Sequence, residues 1–415
     1  MTARLLRYVL VSILLIVPVA THGEKAGTVY VVIAVDTEPF DEIAADRYPE
    51  LDLTNYDTIG SQPFIHQVMN SDFRSQYLDS YDRSIKFTFF IETSEAICNS
   101  TLSDCAIILA AMEKFREPML AFGDELAWHY HHVEWRQADW DTSLYFWSQD
   151  TTFDSSDVVV AEKTLNHLLI DYDFFPTLFR SGWTWENTDI SNWLDEIVPF
   201  DFSNLSPLGG NEPPCSTVFW DCFDWSRAPT GWTNYHPSRH DYQVPGDCKR
   251  AIFRCNCSGM FSSHLAEAFE QAATGSNIYV CAYSHSSGSL NDFLKRQCIG
   301  LLQIYSEKYN VPYVYATANE AARAVLGFHN DTIPPVLSIK RSEDKLLINS
   351  EEDIFQSNPY CALRVSNRLK RIIPIRIGDK AWVIDIPADS EFTIAIGVCD
   401  LAGNASTAKY EINHE

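Results

Sequence analysis

The segment TVYVVIAVDTEPF, residues 28–40, decides the fold. Its apolar run from Val29 to Val35 is rich in β-branched residues, as expected of a strand buried on both faces. The run ends abruptly at Asp36-Thr37-Glu38-Pro39. A buried parallel strand that delivers two carboxylates at its C-terminal end is typical of the active-site edge of an α/β barrel. The alternative interpretation is a turn with ordinary acidic residues.

The rest of the first 326 residues alternates strand and helix patterns. Apolar strand patterns occur in IKFTFFIE (85–92), NIYVCAYSH (277–285) and PYVYAT (312–317), and helix patterns occur around 107–115, 158–170, 292–309 and 318–326. This alternation predicts a mainly parallel sheet or barrel. Six polar residues fall near predicted strand C-termini, namely Asp36, Glu38, His129, His131, Arg180 and His285. Their regular placement is the strongest internal evidence for a functional site.

Three histidines lie within four residues in GDELAWHYHHVEW, residues 123–135. Side chains two apart on an extended strand point the same way, so His129 and His131 can offer two imidazoles to one metal ion. A catalytic metal site needs about one more protein ligand and an open position for water. A carboxylate of the first strand is the candidate. The alternative is a solvated loop that contains three histidines by chance.

Composition changes mark two further regions. From about residue 205 to 260 the chain is rich in Gly, Pro, Cys and Trp and shows no helical period, which indicates a cover or an insertion. Its aromatic residues, Tyr235 among them, either stack on sugar rings or fill a small disulfide-tied core. Beyond a Pro-rich linker after Leu326, short runs of alternating apolar and polar residues predict a small antiparallel β-sandwich over 333–415. Its CDLAGNAS segment, residues 399–406, resembles the closing strand of bacterial Ig-like modules.

The chain of 415 residues is long enough for two domains or more, and its formal net charge is −25. Such acidity excludes nucleic acid and other polyanions, which need a Lys- and Arg-rich footprint. Residues 1–23 place Arg4 and Arg7 before a short apolar run that ends in small residues, as in a signal peptide. The alternative for this run is an uncleaved anchor, and no other segment is apolar enough to cross a bilayer. We therefore expect a secreted, cell-surface or periplasmic protein without an integral membrane domain, and the sequence leaves its oligomeric state open.

Eleven cysteines in an exported chain indicate structural disulfides, and the odd number leaves at least one thiol unpaired. The pairs favoured by the sequence are Cys98 with Cys105, Cys215 with Cys222, and Cys361 with Cys399. The CNC run at residues 255–257 has no second Cys or His pair at zinc-finger spacing, so a disulfide or a buried thiol is the favoured interpretation of it.

Taken in order, these motifs resemble those of the polysaccharide deacetylases of the NodB-homology superfamily, carbohydrate esterase family four. The resemblance covers about Thr28 to Leu326. Its first motif corresponds to VDTE, its third to FRSGW around Arg180, and its last to YSHSSG around His285. The second motif differs, because many members space the histidine pair four residues apart. This chain is closer to the branch with a His-x-His run, which favours His129 and His131 over His132.

The resemblance implies a distorted (β/α)7-type barrel over 24–328, followed by the sandwich, that removes N-acetyl groups from an amino-sugar glycan. One divalent metal ion, zinc in the first place, would be held by Glu38, His129 and His131. Asp36 would take a proton from water, Arg180 would keep Asp36 ionised, and His285 would protonate the departing amine. The residues expected to contact the glycan are Trp183, Tyr235 and His132.

Several alternatives stay open at this point. Asp36 and Glu38 can exchange roles, and His132 can replace His131 as a ligand. Arg180 and His285 also fit purely structural roles, and Trp183 fits the core. At the level of function, the rivals are a hydrolase of another linear C–N bond and a non-catalytic glycan-binding protein with a degenerate site.

Overall fold

The structure of the protein is a computed structural model that describes residues 26–38, 63–99, 104–137, 143, 145–205, 225–256, 262–286, 299–386 and 391–412. Its strands are β1 Val29–Thr37, β2 Thr88–Ser94, β3 Glu125–His131, β4 Val133–Gln137, β5 Tyr145–Gln149, β6 Leu178–Ser181, β7 Phe200–Asn204, β8 Pro237–Ser238, β9 Asp241–Pro245, β10 Ala251–Arg254, β11 Ile278–His285, β12 Tyr313–Ala316, β13 Leu337–Ser342, β14 Lys345–Ser350, β15 Tyr360–Val365, β16 Arg368–Ile372, β17 Ile375–Gly378, β18 Ala381–Asp385, β19 Phe392–Cys399 and β20 Ala405–Ile412. Its α-helices are α1 Pro63–Val68, α2 Ser71–Arg74, α3 Glu95–Cys98, α4 Ile107–Glu113, α5 Arg116–Phe122, α6 Ser155–Tyr172, α7 Thr188–Leu194, α8 Ser262–Ala272, α9 Ile299–Tyr309 and α10 Ala318–Leu326.

Seven parallel strands form a nearly closed barrel in the order β10-β7-β6-β3-β2-β1-β11, and β12 pairs with the first half of β1. The seam between β10 and β11 is bridged by one residue, Asn256. Its backbone N–H donates to the carbonyl of Cys281 at 3.0 Å, and the N–H of Tyr283 donates to the carbonyl of Asn256 at 3.1 Å. The predicted α/β barrel is thus confirmed in its coarse form.

Aromatic rings from four strands fill the barrel. Phe202 stacks on Phe253 with ring centroids 4.7 Å apart, and Phe253 meets Tyr279 edge-on at 5.2 Å. Phe90 of β2 packs on Phe202 from the other side, at 6.4 Å. All four side chains are buried. The barrel is therefore a packed core rather than a pore, and polar chemistry is restricted to its ends.

The C-terminal strands form two four-stranded antiparallel sheets, β13-β14-β18-β17 and β16-β15-β19-β20. Alternate residues of both sheets share one apolar core, which includes Ile348, Trp382 and Ile394. This is the packing of a β-sandwich, as the alternating pattern predicts. The sandwich contacts helix α6 of the barrel, where Tyr360 donates to the Asn166 side chain at 3.0 Å.

The structure differs from the sequence-based expectations in two places. Strand β10, Ala251–Arg254, belongs to the barrel although it lies inside the region predicted as an insertion over about 205–260. Cys361 and Cys399 are both free buried thiols, so the prediction that they pair is wrong. Cys361 packs in the sandwich core, whereas Cys399 packs in the cluster shared with the barrel, and alternation on the strands separates the two sulfurs. The predicted Cys98–Cys105 disulfide is present.

Two further expectations, the signal peptide over residues 1–23 and the Cys215–Cys222 pair, lie outside the described residues. Within the described ranges, none of the helices combines the length and the apolar character that a membrane crossing requires.

Candidate active site

Glu38, His129 and His131 converge at the C-terminal edge of the barrel. β2 lies between β1 and β3, and its parallel pairing with both brings their C-terminal ends level. The Nε2 atoms of His129 and His131 are 3.0 Å apart, and each lies 3.3 Å from Glu38 Oε1. All three side chains are buried. Two imidazole nitrogens and one carboxylate oxygen therefore face the same point, where one metal ion would contact all three.

This triangle fits a divalent metal ion. Ligand atoms at the usual zinc bond lengths of about 2.0–2.1 Å in a tetrahedron lie roughly 3.3–3.4 Å from one another. The separations of 3.0, 3.3 and 3.3 Å are close to that value. The donor set, two histidines and one carboxylate, is one that zinc uses in hydrolases with an open fourth position.

The tautomer of His129 suits a ligand. Its Nδ1 donates to the carbonyl oxygen of Arg180 at 2.8 Å, which leaves the Nε2 lone pair facing Glu38 and His131. His131 is positioned by packing instead. Its ring lies edge-on to Trp183 at 4.6 Å, and a Cβ added to Gly182 would be 2.4 Å from its Cγ. Position 182 therefore has to be glycine for the imidazole to occupy this place.

Asp36 and Arg180 form a buried ion pair beside the triangle. Arg180 Nε donates to both carboxylate oxygens of Asp36, at 2.8 and 3.0 Å, and its Nη1 donates to the carbonyl of Phe202 at 3.0 Å. The guanidinium also lies 3.7 Å from the centroid of the Tyr283 ring. Burial by itself lowers the pKa of Arg180, but the adjacent Asp36 carboxylate raises it above its usual value. Arg180 is thus charged, and its two hydrogen bonds fix the orientation of the Asp36 carboxylate.

His285 completes the arrangement from the other side of β1. It is the register partner of Asp36, and its Nε2 lies 3.9 Å from Glu38 Oε1. Its side chain is 41% exposed, so it is the member of the group that faces solvent. Burial raises the pKa of Glu38, but His285, His129 and His131 together lower it well below its ordinary range. Glu38 is therefore ionised, as a metal ligand must be.

One buried acid of the site was missed by the sequence analysis. Glu92 occupies β2 as the register partner of His129, and its side chain is fully buried. Neither of its carboxylate oxygens has a hydrogen-bond partner in the part of the chain that the structure describes, and His131 Nδ1 is also unpartnered there. Burial raises the pKa of Glu92 to about 8. The available signal was the end of IKFTFFIE, where a carboxylate again follows a buried apolar run.

Two residues predicted to contact a ligand lie elsewhere. The Nε2 of His132 bonds to the carbonyl of Thr152 at 2.6 Å, and its ring stacks on Trp185 at 5.2 Å. Tyr235 is 5% exposed, in a small apolar cluster, and its hydroxyl donates to the carbonyl of Tyr242. Both have the contacts of core residues. Their roles in binding a glycan remain predictions that this placement does not support.

Comparisons with known proteins do not identify a family. No family model and no curated protein matches the chain. Among solved structures, a Cellulomonas fimi endo-β-1,4-mannanase double mutant is 10% identical with a TM-score of 0.31, covering 84% of this chain and 90% of its own. The Clostridium perfringens spore cortex lytic enzyme is 11% identical with a TM-score of 0.23, covering 80% and 92%. Similarities at this level carry no argument about fold or function.

Proposed function

We propose that the protein is an exported, metal-dependent hydrolase that removes N-acetyl groups from an amino-sugar glycan. One observation carries the proposal: the ligand triangle of Glu38, His129 and His131 lies beside an Asp36 carboxylate that is paired with Arg180. The order of the motifs along the chain, which resembles that of the polysaccharide deacetylases, supports the choice of substrate. The N-terminal signal-like segment supports export.

Glu38, His129 and His131 would hold the ion, and zinc suits their donor atoms. A divalent ion there supplies Lewis acidity, which lowers the pKa of a water and polarises an amide carbonyl. His132 lies in a different group of possible ligands, with Asp150 and Asp157, whereas Glu38 lies with His129 and His131. The geometry therefore favours His131 between the two alternatives.

Asp36 and His285 suit the two proton transfers of amide hydrolysis. Carboxylate oxygens of Asp36 and Glu38 and a ring nitrogen of His285 lie within 4.8 Å of one another. Asp36, held in place by Arg180, accepts the proton of the attacking water. His285, on the solvent side, donates a proton to the amine nitrogen, which leaves as a neutral amine instead of an anion. The same geometry favours Glu38 over Asp36 as the ligand, because both oxygens of Asp36 accept from Arg180.

The test combines metal content with acetate release. We expect about one equivalent of zinc per chain, lost in Glu38→Gln and His129→Ala, and release of acetate from N-acetylated chito-oligosaccharides by the zinc-loaded protein only. His167→Ala is the matched control, because this histidine pairs with Asp171 on helix α6, away from the barrel end. It should keep both properties.

Other outcomes separate the rival functions. Zinc binding with turnover of small linear amides but not of chito-oligosaccharides would replace the glycan by another C–N substrate. A protein that takes up no metal even after resupply, yet binds the oligosaccharides, would be a glycan-binding protein with a degenerate site.

A further inference from the structure

Two buried thiols face each other across the seam of the barrel. The Sγ atoms of Cys255 and Cys281 are 2.9 Å apart. Asn256 pairs with Ala282 across the same seam, so the two cysteines occupy the register position just before that bridge. Both are fully buried. Neighbouring strand positions bring the Cα atoms within the 4.4–6.8 Å that a disulfide requires.

The seam is the weakest connection of the barrel. Among the described residues, which on the β10 side end at Asn256, β10 and β11 share a single-residue bridge. The Tyr279 hydroxyl supplements it by accepting from the Arg254 N–H at 2.7 Å. Every other neighbouring pair in the ring shares at least two register positions. A covalent link here would stabilise the ring where backbone hydrogen bonding is sparse.

We propose that Cys255 and Cys281 form a disulfide bond that closes the barrel between β10 and β11. Both S–H bonds break and one S–S bond forms. The two electrons and two protons pass to an external disulfide of the oxidised-dithiol or glutathione class, which is reduced to two thiols. The CNC run thus provides one partner of a disulfide, through its first cysteine.

Because both sulfurs are buried in the folded protein, the oxidation has to occur before β10 and β11 come together. Exchange requires a thiolate that an external disulfide can reach, and neither sulfur is accessible in the closed barrel. Burial also raises the pKa of Cys281, which makes the thiol unreactive once folded. The bond would therefore form during folding in an oxidising compartment, independently of whether the proposed hydrolase activity is correct.

The link would also stiffen the strand that carries His285. Side chains alternate along β11, so Cys281, Tyr283 and His285 share the face of β11 that is directed toward Asp36 and Arg180. Fixing Cys281 to β10 restricts the position of that face. Reduction should therefore lower thermal stability first and affect catalysis only through strand mobility.

The test maps the thiols of the full chain after secretion or after refolding in a glutathione redox buffer. Alkylation under denaturing conditions without reductant, followed by mass mapping, should leave Cys255 and Cys281 unmodified and cross-linked. Trypsin leaves both in one peptide, because no Lys or Arg lies between Arg254 and Lys295, so cleavage after Glu267 and Glu270 is needed. Cys257→Ser identifies which cysteine of the CNC run takes part.

Thermal melts provide a second readout. Cys281→Ser and Cys255→Ser should each lower the Tm by roughly 5–10 °C, and the double variant should lower it no further, because each removes the same bond. Cys361→Ser, another buried thiol, is the matched control for loss of a sulfur and should leave the cross-link intact. Alkylation of both Cys255 and Cys281 in oxidised protein, or a link from Cys281 to Cys257, would overturn the proposal. The disulfide map of the wild-type protein tests the proposal even if a serine variant fails to fold.

Discussion

Two buried acids at opposite ends of the barrel, Asp124 and Glu92, have different surroundings. At the N-terminal end, Arg74 pairs with Asp124, whose Oδ2 lies 2.5 Å from Nη2, and also donates to the carbonyls of Val68 and Ile85. Asp124 in turn accepts from the Phe87 N–H at 2.9 Å. At the C-terminal end, both oxygens of Glu92 lack a hydrogen-bond partner among the described residues. The acid Asp124 at the first end thus has a charged partner and a backbone donor, whereas Glu92 at the second end has neither among the described residues.

The difference agrees with the proposed function, which places the chemistry at the C-terminal end of the barrel. A buried polar group without a partner costs about 1–3 kcal/mol, and more when it is charged, so such groups persist where something else requires them. In parallel barrels, catalytic groups lie at the C-terminal ends of the strands and stabilising ones at the opposite end. Glu92, whose oxygens lack a hydrogen-bond partner among the described residues, lies at the C-terminal end, as this rule expects of a group kept for chemistry.

Breaking the ion pair at the C-terminal end should have the largest effect. Asp36→Asn leaves the shape of the side chain but removes the proton acceptor, so kcat should fall by about 10²–10⁴-fold while zinc stays bound. The variant also leaves Arg180 buried without its charge partner, so activity should be expressed per folded molecule. Unchanged kcat in a correctly folded, zinc-loaded variant would remove Asp36 from the mechanism.

Breaking the ion pair at the N-terminal end is the matched experiment. Arg74→Ala leaves Asp124 buried and unpaired, which should lower the free energy of unfolding by about 3–5 kcal/mol. Zinc content and kcat of the folded fraction should stay at the wild-type level, because Arg74 contacts no residue of the site. Urea titration and acetate release measure the two quantities, and a parallel loss of zinc would contradict the division between the two ends.

Burial of Glu92 should make the free energy of unfolding depend on pH. Glu92 has a pKa raised from 4.5 to about 8 in the folded chain, so between those values the unfolded chain is ionised while the folded one stays protonated. Stability is then full below pH 4.5 and falls as the pH rises towards 8. Glu92→Gln should remove this slope and gain a few kcal/mol at pH 8 in zinc-free protein. Urea titrations at pH 5, 6.5 and 8 test this, and parallel wild-type and variant profiles would contradict it.

An exposed ion pair near the N-terminal end should give the smallest effect. Lys86 Nζ lies 2.6 Å from Glu320 Oε1, but both side chains are partly exposed. Lys86→Ala should therefore change the free energy of unfolding by less than about 1 kcal/mol and lose even that at high salt. A larger loss would mean that this end depends on surface charge as well as on the buried Arg74 pair.

Much of the barrel could be predicted because its signals are local. The β-branched run from Val29 to Val35 and the carboxylates directly after it are contiguous, and the structure places them in β1 and at its end. Spacing by two along an extended strand likewise predicted that His129 and His131 share a face. The preference for His131 over His132 came instead from the family resemblance, and the sequence left His132 open as the alternative.

Other features depend on residues that are far apart in the chain. Cys361 and Cys399 were paired by composition, but the structure assigns them to different cores. Tyr235 belongs to an aromatic insertion that suggests sugar binding, yet its ring is buried by Tyr242 and Ile252. Ala251 begins a barrel strand inside a region that composition marks as irregular, because that strand is only four residues long. A pattern of a few residues does not reveal which distant segment of the chain those residues will contact in the fold.

By itself, therefore, the sequence determined the strand that ends in Asp36 and Glu38, the shared face of the two histidines, and the division into barrel and sandwich. Only the tertiary structure decided that Glu92 is buried beside them with no hydrogen-bond partner among the described residues, and that Cys255 meets Cys281 across the seam. The physical reason is the distance along the chain over which each effect acts. Hydrophobic periodicity and strand alternation act between neighbouring residues, whereas desolvation of a carboxylate and contact between two sulfurs arise when the closed barrel brings distant strands together.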